Sequence, residues 1–117
     1  MNLADARFSI HGNVVVAQLL GEIDMSNADG ITRALLDSTT NDALGLVLDL
    51  RAVDYLDSTG IRLIYSVRES LRTRGQGLRL IIEMDSIVGD ALRLSGVARH
   101  MAVTDTVEAA IAALRDS

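Results

Sequence analysis

The sequence contains no cysteine, lysine, proline or tryptophan, and these absences exclude several kinds of chemistry. Without cysteine the chain has no disulfide, no thiolate nucleophile and no cysteine-based zinc site. All 11 cations are arginine, so Schiff-base chemistry and lysine-dependent phosphate loops are excluded as well. The two histidines, His11 and His100, lie far apart in the sequence and do not form an HxxxH-type pair. We therefore expect neither a metal nor another cofactor.

Charge and hydropathy narrow the class of protein further. The net charge is -5, and the 11 arginines are scattered rather than clustered, so we expect no direct contact with nucleic acid. The longest apolar stretch, residues 14–20, is far shorter than the ~20 residues that span a bilayer, and residues 1–12 do not resemble a signal peptide. These features favour one soluble, cytoplasmic domain over residues 1–117, with an aliphatic core because aromatics make up only 3%.

Hydrophobic periodicity predicts strands and helices in the order ββαβαβαβα. The predicted strands cover residues 7–10, 14–20, 45–50, 78–82 and 100–103, and the first two flank a short link that is typical of a hairpin. We expect the helices to be capped by Ser26 with Asp29, by Asp57 or Ser58, by Ser86, and by Asp105 with Glu108. In the third helix, Ile87, Val88, Ala91 and Leu92 are expected to face inward. The pattern predicts an α/β fold: a mostly parallel mixed sheet with an antiparallel N-terminal hairpin, packed against helices.

The segment Asp57-Ser58-Thr59-Gly60 links an apolar strand to the second helix and permits three interpretations. The simplest is a helix cap, with Gly60 allowing a close turn of the backbone. In the second, Ser58 is a phosphoacceptor: phosphate would add about -1.5 to -2 charges beside a helix N-terminus that favours anions. A nucleophilic serine is disfavoured, because the segment is not a GxSxG elbow and no motif places a base beside it. We expect the chain not to be an enzyme.

Several stretches in their order resemble the STAS domain (sulfate transporter and anti-sigma factor antagonist). They are GEIDMSNA at 21–28, GLVLDLRAVDYLDSTGI at 45–61, LRLIIEMDSIVGDALRLSGV at 78–97 and DTVEAAIAAL at 105–114. The resemblance covers roughly residues 7–114, and the combination is more specific than any one piece. It implies a single STAS domain.

The resemblance also implies a function. Stand-alone STAS proteins of bacteria are mostly anti-sigma factor antagonists, which bind an anti-sigma factor that is also an ATP-dependent serine kinase and so release a sigma factor. Ser58 matches the residue that this kinase phosphorylates, which weakens the complex, and a phosphatase acting on phospho-Ser58 restores binding. Asp24, Asp57, Thr59 and Gly60 match the surrounding partner-binding surface.

Two other roles for a STAS domain stay open. One is a scaffold subunit of a stress-signalling assembly, and the other is an accessory module of a membrane transporter. For Asp24, the residues alone indicate only the end of a strand, and the recognition role comes from the resemblance. The sequence leaves the oligomeric state undetermined.

Overall fold

The computed structural model describes residues 5–116, which form one mixed sheet with helices on both faces. Within these residues the strands are β1 (Asp5–His11), β2 (Val14–Ile23), β3 (Gly45–Leu56), β4 (Gly77–Ile81) and β5 (Val103–Thr104). The helices of the same residues are α1 (Ala28–Ser38), α2 (Ser58–Thr73), α3 (Ile87–Leu94), α4 (Val97–His100) and α5 (Val107–Arg115).

The strands lie in the sheet in chain order, from β1 to β5. β1 and β2 form an antiparallel hairpin, and the pairs β2–β3, β3–β4 and β4–β5 are parallel. The hairpin link contains Gly12 at a φ of 65°, a left-handed conformation that glycine adopts without a steric penalty. The predicted α/β class, with a mostly parallel sheet and an antiparallel N-terminal hairpin, is confirmed.

Two hydrophobic cores of unequal size hold the layers together. The larger core lies between one face of the sheet and helices α1, α2 and α3, and it includes Leu48, Leu35 and Ile64. The smaller core lies on the opposite face, where α5 packs on β2, β3 and β4 through Ile111 and Leu114. The first six residues of β3, 45–50, are buried on both faces, which explains why this part of its sequence is a nearly continuous apolar run rather than an alternating one.

Several local predictions were wrong. The cap of α1 is Asn27 rather than Ser26, because the Ser26 hydroxyl donates to the carboxylate of Asp24 instead of capping the helix. The cap of α5 is Thr106, whose hydroxyl oxygen accepts from the N–H of Ala109 at 3.1 Å. The predicted cap, Asp105 with Glu108, was therefore placed one residue too early in the sequence.

The region after β4 was predicted only in part. Ser86 caps α3 as expected, accepting from the N–H of Gly89 at 2.9 Å. Ile87 does not face inward: it is 82% exposed, because it is the first helical residue and the inward face begins at Val88. Residue 100, predicted to begin a strand, ends the additional short helix α4 instead, and the strand that follows is β5.

Candidate functional site

The Asp57–Gly60 segment lies at the carboxyl edge of the parallel strands. β3 ends at Leu56, Asp57 is the N-cap of α2, and Ser58 is the first residue of that helix. In α/β sheets this edge collects functional groups, since loops leave the strands here and helices begin. The helix has 16 residues, so its N-terminus carries a partial positive charge.

Asp57 caps the helix through one of its carboxylate oxygens, Oδ1. Its carboxylate accepts from the backbone N–H of Thr59 at 2.9 Å and from that of Gly60 at 3.2 Å. The hydroxyl of Thr59 donates to the same carboxylate oxygen. The bond from this hydroxyl lowers the pKa of Asp57, and the two backbone N–H groups lower it further against a small opposing effect of burial. The carboxylate is therefore held in its charged form.

The two hydroxyl groups of the segment are in different situations. The Thr59 side chain is half-buried and bonded to Asp57. Ser58 is exposed, and its hydroxyl has no hydrogen-bond partner among residues 5–116. Ser58 is thus the hydroxyl that a second protein can reach without first breaking the helix cap.

Gly60 has a different role from the expected close turn. It lies inside the first turn of α2 with no positive φ, and it is buried. A Cβ atom at this position would lie 2.7 Å from Cγ of Leu56 and 3.3 Å from Cγ2 of Ile23. The missing side chain lets the start of α2 pack directly on the ends of β2 and β3, which fixes the position of Ser58 relative to the sheet.

Asp24 lies at the same edge, one strand away. Ile23 and Leu56 are register partners, and the N–H of Asp57 donates to the carbonyl of Ile23 at 3.3 Å. Asp24 and Asp57 therefore follow directly on neighbouring positions of β2 and β3. The Asp24 carboxylate is engaged locally, accepting from the N–H of Ser26 at 2.8 Å. Within the described part of the chain, no hydrogen bond joins it to Ser58.

A groove of about 320 Å³ opens beside this segment, between the beginnings of α1 and α2. Thr59 and Arg62 line it from α2, and Met25 and Asp29 line it from the other side. Met25 is largely exposed, and Arg62 forms no ion pair among residues 5–116. Sequence reasoning did not single out Arg62, although its position four residues after Ser58 places it one helical turn away on the same face.

Both histidines lie near the amino ends of the parallel strands, whereas Ser58 lies at their carboxyl ends. His11 precedes the start of β2, and His100 precedes β5, whereas Ser58 follows the end of β3, which is parallel to β2. The length of a strand therefore separates each imidazole from the serine. This placement is incompatible with a serine–histidine nucleophile. Within residues 5–116, no group of three metal-binding side chains is assembled, and no helix has the length and apolar character to cross a membrane.

The sequence was compared with models of known protein families. The model of the STAS domain family matches residues 5–110, which include β1 to β5 and the whole Asp57–Gly60 segment. The chain belongs to the STAS domain family. The match confirms the family that the combination of sequence stretches indicated.

Curated and solved relatives of this STAS domain agree in size and fold. The anti-sigma-F factor antagonist RsfB of Mycobacterium tuberculosis is 26% identical over 106 residues, which cover 90% of this chain and 84% of RsfB. The crystal structure of an anti-sigma factor antagonist from Mycobacterium paratuberculosis aligns with a TM-score of 0.84 at 24% identity, covering 97% of this chain and 96% of that one. The phosphorylated form of the Bacillus cell fate determinant SpoIIAA aligns with a TM-score of 0.66 at 20% identity, covering 95% and 100%.

Proposed function

We propose that this STAS domain is an anti-sigma factor antagonist that is switched by phosphorylation of Ser58. The unmodified protein binds an anti-sigma factor that is also an ATP-dependent serine kinase, and a sigma factor is released. Phosphorylation weakens the complex, and a phosphatase acting on phospho-Ser58 restores it. The observation that carries the proposal is the exposed, unbonded hydroxyl of Ser58 on an ordered helix start. A cytoplasmic location belongs to the proposal.

The names of the relatives support this class of function. RsfB and the Mycobacterium paratuberculosis protein are both named as antagonists of anti-sigma factors. These are names of regulators, in agreement with the expectation that the chain is not an enzyme. The 26% identity to RsfB covers most of both chains, so the comparison concerns the whole domain rather than one motif.

In the proposed phosphoryl transfer, this chain supplies only the nucleophile. The Oγ atom of Ser58 attacks the γ-phosphorus of ATP, the bond from that phosphorus to the bridging oxygen breaks, and ADP leaves. The hydroxyl proton goes to a base of the kinase. Asp57 is unsuited to that task, because its carboxylate accepts three hydrogen bonds and its pKa is lowered.

Phosphate on Ser58 should change the surface and leave the fold intact. The N-terminus of α2 favours an anion, and the unpaired Arg62 lies one turn away, whereas Asp57 repels the phosphate. SpoIIAA supports this reading, since its unphosphorylated and phosphorylated forms align with this chain at TM-scores of 0.67 and 0.66. A docked partner would then meet about two added negative charges within its interface.

The proposed partner-binding surface consists of Asp24, Asp57, Ser58, Thr59 and Gly60. Asp24 and Ser58 offer polar atoms to a partner directly. Asp57 and Thr59 shape the helix start, and Gly60, which is buried, contributes by setting the position of the helix.

The first experiment captures the wild-type protein from its native cells and identifies both its phosphosites and its partners by mass spectrometry. Phosphate on Ser58, together with an ATP-binding kinase among the partners of the unmodified form, is the expected result. Absence of phosphate together with a transporter or a large particle would contradict the proposal in favour of the accessory-module or scaffold role.

Calorimetry with the captured kinase then tests the switch. Ser58→Asp should weaken binding by at least tenfold, because about 1.4 kcal/mol of repulsion suffices for that change. Ser58→Ala should bind like the wild type and resist release by ATP. Ser95→Asp, the same substitution at the exposed serine that follows α3, is the control and should bind normally. Because the Ser95 hydroxyl donates to the carbonyl of Leu92 at 3.0 Å, circular dichroism should show that this variant is folded. Equal affinities of Ser58→Asp and the wild type would refute the switch.

A further inference from the structure

The two edges of the sheet are protected to different degrees. The edge strand β5 has only two residues, and shortness is one way in which proteins prevent an edge from pairing with another chain. The other edge, β1, has seven residues, of which all but Ala6 are exposed. Its outer backbone groups have no partner strand within residues 5–116. β1 therefore offers a long template for one more strand.

β1 also lacks several of the usual protective features, although it carries the charged residues Asp5 and Arg7. It contains neither proline nor lysine, and its register with β2 is unbroken from Asp5 to His11. The irregularities of the sheet lie between β2 and β3 instead. Phe8 and Ile10 are 39% and 75% exposed. Their register partners in β2 belong to the larger core, so both side chains lie on the same face of the edge.

The sequence of β1 is complementary to itself in one register. In an antiparallel pair with a two-fold axis through Phe8, all seven residues are paired and Phe8 lies opposite Phe8. Asp5 then lies opposite His11, and Arg7 lies opposite Ser9, each twice. A carboxylate can accept a hydrogen bond from an imidazole N–H, and paired aromatic side chains stabilise such cross-strand positions.

The neighbouring registers are less favourable. An axis through Arg7 places two guanidinium groups directly opposite each other. Like charges at such directly opposed positions are destabilising. An axis through Ser9 pairs only five residues and leaves Asp5 with no residue of β1 opposite it. These differences favour the register centred on Phe8.

We propose that β1 pairs with β1 of a second copy of this chain in the Phe8-centred register, which joins two five-stranded sheets into one of ten strands. Stable interfaces typically use about 20 to 30 residues a side, whereas this contact has seven at its centre. The dimer should accordingly be weak and dependent on concentration. β2 separates β1 from β3, so the contact leaves Ser58 accessible. The proposed dimer therefore does not depend on the proposed phosphorylation of Ser58.

Sedimentation equilibrium of the full chain, from micromolar to millimolar concentration, tests the proposal. The wild type should dimerise reversibly. Phe8→Lys, which places two ammonium groups at the two-fold axis, should abolish the dimer. Leu94→Lys is the matched control, because Leu94 is exposed on α3 away from β1, and it should dimerise like the wild type. Circular dichroism should show that each variant is folded.

A charge exchange identifies the register. His11→Asp should raise the dissociation constant of the dimer about tenfold, because it creates two opposed carboxylate pairs. Adding Asp5→His should restore most of the affinity, since each carboxylate again lies opposite an imidazole. Within one chain these residues lie at the two ends of β1, so they restore each other only across an interface. The proposal would be overturned if the wild type stayed monomeric at millimolar concentration, or if these variants left the dissociation constant of the dimer unchanged.

Discussion

Replacing Gly60 and Gly30 by alanine should change the stability of the protein in opposite directions. Each glycine is the third residue of its helix, Gly60 in α2 and Gly30 in α1, and neither has a positive φ. The helix propensity of alanine exceeds that of glycine by up to about 1 kcal/mol, a gain that applies similarly at both positions. Any difference between the two variants therefore reports the surroundings.

The surroundings differ sharply. Apart from its chain neighbours and the backbone of its own helix, a Cβ atom on Gly30 would have nothing within 4 Å, whereas one on Gly60 would lie 2.7 Å and 3.1 Å from two atoms of Leu56. Leu56 is itself buried at the end of β3, so it has little room to move. Overpacking of this kind typically costs about 1–3 kcal/mol, which exceeds the gain in propensity. We expect Gly60→Ala to lower the free energy of unfolding by about 1–2 kcal/mol and Gly30→Ala to raise it by up to about 1 kcal/mol.

Urea denaturation, followed by circular dichroism, measures both values. A change of 1 kcal/mol should also move the melting temperature by about 4 °C in a domain of this size. If Gly60→Ala stabilises the protein as much as Gly30→Ala does, the close approach of α2 to the strand ends does not constrain the helix, and the account of Gly60 given above is wrong.

Two further predictions concern charged side chains. Asp57→Ala should lower the free energy of unfolding by about 1 kcal/mol at neutral pH, the usual value of an N-cap. The folded-state pKa of Asp57 is lowered, so its contribution is complete above the ordinary aspartate pKa and is lost as the pH falls through the lowered value. Urea denaturation between neutral and acidic pH should thus show a smaller acid loss for the variant, and equal losses would contradict the capping role. The guanidinium of Arg51 donates hydrogen bonds of 3.0 and 2.8 Å to the carboxylate of Asp49, which is only 3% exposed. Arg51→Ala removes both bonds and should lower the free energy of unfolding by about 2 kcal/mol, less than for a fully buried pair because Arg51 is half-exposed. Asp49→Leu in the same chain should recover most of that loss, and an unchanged midpoint for the single variant would contradict this account.

The order of elements was predictable because it depends on patterns longer than any one contact. The nearly continuous apolar run of β3 favours a buried strand, and the glycine-containing link after β1 favours a hairpin. Parallel register then brings the ends of β2 and β3 together, which is why the proximity of Asp24 and Asp57 could be expected before the structure was known.

Cap positions were less predictable, since neighbouring polar residues compete for the same backbone groups. Ser26 and Asn27 can both cap α1, and the choice depends on where Asn27 bonds: its side chain accepts from the N–H of Asp24 and donates to the carbonyl of Glu22. These partners belong to the end of β2 and are invisible to a local pattern. The role of Gly60 was hidden for a similar reason, because it depends on contact with Leu56.

The unequal sizes of the two cores have a consequence for the dynamics of the molecule. α5 rests on the smaller core alone, whereas α1, α2 and the strand ends beside Ser58 belong to the larger one. Segments with few buried contacts open locally at a lower free energy than the whole domain unfolds. We therefore expect the amide hydrogens of α5 to exchange with solvent faster than those of α1 and α2, so that local opening of the C-terminal helix leaves the surface around Ser58 unchanged.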